Sequence, residues 1–98
     1  MRAAQILDEV RQIACTTLQG CDADLYLFGS WASGAQRRTS DIDIAVDPRR
    51  PLPDGALSTL RERFEESRIP YRVDVVDLSE ADPTFRRAVI KRGIQWSV

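Results

Sequence analysis

Apolar positions along the chain fall into blocks of helical and strand period. Residues 3 to 19 carry Ile6, Leu7, Val10, Ile13, Ala14 and Leu18 at helical spacing, with Gly20 as a stop. "DLYLFGS" predicts a buried strand from about Leu25 to Phe28, followed by a short helix over roughly Ser30 to Gln36. Asp41 to Val46 alternates strictly, with Ile42, Ile44 and Val46 on one face and Asp41, Asp43 and Ala45 on the other. The proline-rich "DPRRPLPDG" predicts a loop, and Leu57, Leu60 and Phe64 a helix ending near Ser67. "PYRVDVVDL" predicts a third strand, placing Tyr71, Val73 and Val75 opposite Arg72, Asp74 and Val76. Asp82 and Pro83 open a last helix whose inner face is Phe85, Val89 and Ala88 and which Gly93 closes. Trp96 and Val98 are expected to form a packing tail. The order αβαβαβα predicts an α/β fold, a small mixed β-sheet of at least three strands with helices packed on it.

Size narrows what this fold can do. With 98 residues the chain can bury one core, so residues 1 to 98 are expected to form a single domain without a separate substrate domain. Lys and Arg number 14 against 15 for Asp and Glu, so no global field draws the molecule to nucleic acid or to an anionic membrane. The expectation is therefore no direct nucleic-acid binding and no membrane association. Histidine is absent, which excludes thiol–imidazole catalysis and imidazole-based zinc sites. Cys15 and Cys21 read as reduced thiols, and the charged, amphipathic N-terminal stretch does not resemble a signal peptide, so a cytoplasmic protein is expected.

The candidate chemistry lies in Asp41 and Asp43. A period of two sends both side chains to the same side of their strand. At about 4 Å and an effective dielectric of about 20, two such charges repel by about 4 kcal/mol, so a fold keeping both ionised calls for a cation. Hard oxygen ligands without histidine suit Mg²⁺ or Mn²⁺. Asp74, on the polar face of the third strand, becomes a third carboxylate if the two strands are neighbours. Three such groups can hold two divalent ions about 4 Å apart, the arrangement that serves phosphoryl displacement. Gly29 and Ser30 supply a phosphate grip, because glycine permits close backbone approach, serine adds a hydroxyl, and the helix starting there offers its first amides.

The residues Gly29-Ser30, then Asp41-Ile-Asp43 ten residues on, then a strand aspartate at Asp74, resemble the signature of nucleotidyltransferases related to DNA polymerase beta. The short chain looks like the minimal nucleotidyltransferase branch, many of whose members are antitoxins paired with a helical HEPN-type RNase. That resemblance implies the polymerase beta-like palm core. It also implies Gly29 and Ser30 as triphosphate ligands, Asp41 and Asp43 as ligands of two Mg²⁺ ions, and Asp74 as a metal ligand that helps deprotonate the acceptor. The implied reaction transfers a nucleoside monophosphate, AMP from ATP, to a tyrosine of the partner RNase. Family members often carry arginine where this chain has Trp31 and Ser33, so cationic phosphate contact is expected from Arg38 or Arg37; Ser40 is expected first as a turn residue that sets up the strand, and second as a further nucleotide contact. Two other readings are carried alongside: a binding antitoxin that masks its partner without chemistry, and nucleotidyl transfer to a small molecule or an RNA end.

Overall fold

In the computed structural model, residues 2–96 are described. Helix α1 (Ala3–Thr17) turns Ile6, Val10 and Ala14 inward. Strand β1 (Ala23–Phe28) leads through Gly29 into α2 (Ser30–Ser33), a single turn that stops at Gly34 in the left-handed region. This is shorter than the helix expected to reach Gln36, because the chain reverses at that glycine. Strand β2 (Ile42–Pro48), helix α3 (Ala56–Glu66) and strand β3 (Val73–Asp77) follow, then α4 (Pro83–Arg92) and a fourth strand, β4 (Ile94–Trp96).

The sheet runs β3-β2-β1-β4. β1 is antiparallel to β2 and β4, while β2 and β3 are parallel and joined by the α3 crossover. Trp96 packs against the core as expected, and does so from a strand rather than a tail, pairing with Leu25, whereas Val98 lies outside the described residues. A side chain at Gly93 would meet the Leu27 carbonyl of β1 at 3.0 Å and the helix's own Val89 carbonyl at 2.6 Å, so glycine lets the end of α4 press directly onto β1 before the chain pairs as β4.

Alternation along β1 and β2 divides the molecule into two unequal layers. Leu25, Leu27, Ile42, Ile44 and Val46 are fully buried on one face against α1 and α3, joined by Leu60 and Phe64. At roughly 25 cal/mol per Å² of apolar surface, this face supplies most of the hydrophobic stabilisation. The other face carries a smaller cluster of Tyr26, Ala45, Leu78 and Val89, covered by α4. Its inner contact differs from the expected one: Val89 is buried, but Phe85 is 40% exposed and Ala88 is exposed. The helix is instead tied down by Arg86, whose guanidinium donates to both carboxylate oxygens of buried Asp47 at 2.8 and 3.4 Å. The Asp82 carboxylate caps α4 by accepting from the Thr84 and Phe85 amides, as the Asp-Pro pair predicts.

Candidate active site

Beyond the first turn of α4, the same face of the sheet is open, and the predicted acids lie there. Asp43 on β2 is in register with Asp74 on parallel β3 and with Phe28 on β1. Asp41 lies just before β2 rather than in it, exposed where the loop enters the strand. Burial raises the Asp43 carboxyl above the usual range, and the negative charges of Asp74 and then Asp41 push it further the same way. Asp43 therefore feels both other acids, as the two-residue spacing and the neighbouring strand require.

Gly29 completes the arrangement from the other side. Its backbone has φ 74° and ψ −156°, a region open essentially to glycine alone. A Cβ built there would collide with Asp43 Oδ2. The β1–α2 turn and the Asp43 carboxylate thus occupy adjoining space, and any side chain at residue 29 would fill it. Ser30 follows as the first residue of α2, where the opening amides have no intrahelical acceptor.

The chelating cluster expected from sequence is not drawn together. Among the described residues, no three acidic or cysteine side chains are gathered closely enough to hold a metal ion. Asp74 instead pairs with Arg72, Nε to Oδ1 at 3.1 Å. The donor set still fits a hard dication. Its oxygens are anionic, the charges of Asp74 and Asp41 raise the proton affinity of Asp43, and Asp74, partly exposed, is paired only at the surface, where ion pairs are weak.

The loop between α2 and β2 is held by Trp31 rather than by a cation. The buried indole donates to the Ser40 carbonyl at 3.2 Å and packs edge-on against Tyr71 with ring centroids 5.0 Å apart. Ser40 Oγ accepts from the Arg37 amide at 2.8 Å, so this serine closes the turn that delivers Asp41. Arg38 is exposed on the same loop. Replacing Trp31 with phenylalanine removes the hydrogen bond and leaves part of the buried indole's volume empty. The expected loss is about 2 kcal/mol, a fall in Tm of about 8–16 °C by thermal unfolding. An unchanged Tm would mean that the loop is fixed by other contacts. The Arg72–Asp74 and Arg86–Asp47 pairs went unpredicted, although strand parity put Arg72 on the face of Asp74 and Asp47 on the face of Asp43.

A mixed sheet with a Gly-Ser turn facing in-register acids across two strands defines a nucleotidyltransferase core. The chain belongs to the family described as Polymerase beta, Nucleotidyltransferase, which matches residues 23–95. It is 36% identical over 70 residues to a Haemophilus influenzae protein named probable protein adenylyltransferase MntA, covering 71% of this chain and 61% of that one. It is 39% identical over 71 residues to the protein adenylyltransferase MntA of Shewanella oneidensis, covering 72% of this chain and 50% of that one. The chain thus spans between half and about three-fifths of the length of these relatives. A crystal structure of a toxin–antitoxin with AMP-PNP is 32% identical and has a TM-score of 0.69, covering 90% of this chain and 73% of that one. Among the described residues, no helix is long and apolar enough to cross a membrane.

Proposed function

We propose that this chain is a metal-dependent nucleotidyltransferase that moves AMP from ATP onto a hydroxyl of a partner protein, acting in the cytoplasm as antitoxin to a HEPN-type RNase. The observation carrying this reading is the crowding around one carboxyl group: Asp43 abuts the Gly29 backbone on one side and lies in register with Asp74 on the other. The named adenylyltransferase relatives and the toxin–antitoxin structure with AMP-PNP support it.

Gly29 and Ser30 would hold the triphosphate through backbone amides and the serine hydroxyl. Arg38 would reach it from the following loop, whose shape Ser40 sets. Asp41, Asp43 and Asp74 would hold two Mg²⁺ ions, or Mn²⁺, which when bound neutralise phosphate oxygens and acidify the acceptor hydroxyl. The acceptor oxygen then forms its bond to the α-phosphorus as the bond to pyrophosphate breaks, and the hydroxyl proton passes to Asp74 or to water. The Arg72 guanidinium lies where it can take up Asp74 again once the products leave.

Incubating the protein with a HEPN-type RNase, α-labelled ATP and Mg²⁺ should place label on the RNase, and EDTA should abolish it. Silencing of the RNase without label would favour masking by complex formation. Label that persists in EDTA would overturn the metal assignment.

A further inference from the structure

Asp43 and Asp74 lie in register on parallel strands, and the ladder continues one step outward, where the Ile42 amide donates to the Arg72 carbonyl at 2.9 Å. Arg72 is thereby pinned beside the residue that separates Asp41 from Asp43. Strand parity turns its side chain to the face of Asp74, and there Nε meets Oδ1 at 3.1 Å. This end of the sheet thus carries three carboxylates with a guanidinium set among them.

The other ion pairs among the described residues serve different places. Arg49 bridges Asp22 and Asp24 at the start of β1, Arg50 reaches Asp22, Arg68 meets Glu9 of α1, and Arg86 holds Asp47 under α4. Of these cations, only Arg72 takes one of the three carboxylates assigned above to metal. Its grip also differs in kind. Arg86 donates hydrogen bonds to both oxygens of a buried carboxylate, whereas Arg72, with its side chain 76% exposed, reaches one oxygen of a carboxylate that is itself 39% exposed. So open a pair is weak in water, and it yields to a cation of higher charge that prefers hard oxygen ligands.

We infer that Arg72 is a resident counter-cation that holds Asp74 until a divalent ion displaces it, so that the strength of this one pair sets the metal concentration at which the site fills. The inference rests on the nucleotidyltransferase reading above and adds to it the regulation of that site by a residue outside the metal ligands. Arg72 acts through Asp74 and is a positioning residue. It neutralises the third carboxylate while no metal is bound, and it has to swing clear before Asp74 can join Asp41 and Asp43 on a shared ion.

Titration with Mn²⁺ alone, followed by loss of the free ion's electron paramagnetic resonance signal, tests this without nucleotide or turnover. Arg72→Gln should tighten Mn²⁺ about fivefold, the upper range for an exposed ion pair. The side chain removed is exposed, and the backbone bond to Ile42 does not depend on it, so the variant keeps its fold. Arg37→Gln is the control for bulk charge, because Arg37 is exposed on the loop that delivers Asp41 and forms no ion pair among the described residues. It should shift the affinity less than about twofold, since charges out of contact are screened by solvent and salt. Unchanged or weaker Mn²⁺ binding in Arg72→Gln overturns the inference, that being the result a merely structural residue would give. An equal gain in Arg37→Gln overturns it too, because the cause would then be a general field and not the contact with Asp74. If neither the wild-type protein nor Arg72→Gln takes up Mn²⁺, the metal reading beneath the inference falls and carries the inference with it.

Discussion

Asp43→Asn is expected to stop nucleotidyl transfer while making the metal-free protein more stable. The folded state raises the Asp43 pKa, first by burial and then through Asp74 and Asp41. A carboxyl whose folded pKa exceeds its unfolded one contributes stability while protonated and loses it as pH rises through the folded value. At neutral pH the ionised side chain therefore strains the fold, and an isosteric amide relieves that strain. Because the group is only half-buried, solvent screening holds the gain to about 0.5 kcal/mol, or about 2–4 °C in Tm. Transfer should fall by about 10³-fold or more, since groups that stabilise charge in the transition state carry effects of that order. Thermal unfolding at pH 7 with and without Mg²⁺ checks the electrostatic half. Mg²⁺ should raise the wild-type Tm and leave the variant nearly unmoved. A variant destabilised in the absence of metal would show that Asp43 acts chiefly as a structural hydrogen-bonding group.

Gly29→Ala should damage both fold and site. The backbone at φ 74° and ψ −156° costs a non-glycine residue about 1–3 kcal/mol, and the new methyl group displaces the Asp43 carboxylate. A Tm lower by about 5–15 °C is expected for a domain of this size, with ATP binding lost at the same time. Gly34→Ala is the matched control. Gly34 also has positive φ, 78°, but nothing lies within 4 Å of a Cβ there. It should cost about 1 kcal/mol and leave nucleotide binding intact. Equal binding losses in the two variants would show that the backbone conformation matters and the contact with Asp43 does not.

The central elements were legible because their patterns are strong. Strict alternation fixed β2 and the sidedness of its acids, and the helical spacing of Ile6, Val10 and Ala14 fixed α1. Three features escaped for identifiable reasons. A strand of three residues, β4, carries no period to detect. Phe85 and Val89 share a helix face, but α4 overhangs the sheet at its first turn, so a spacing that implies burial left Phe85 40% exposed. The pairing of Asp74 with Arg72 was overlooked although strand parity puts the two on one face, because a two-residue spacing shows a shared face and not which contact forms. Trp31 packs edge-on against Tyr71, with an added hydrogen bond that steadies the approach to Asp41.

Strand β2 interleaves two sets of instructions, with Ile42, Ile44 and Val46 for the core and Asp43 and Asp47 for the opposite face. Sliding it by a single position would drive carboxylates into oil and leave aliphatics in water, an arrangement no folded molecule could tolerate. Assembly is thus its own proofreading: a copy of this protein that reaches its native state has, by the same act, aimed its acids correctly.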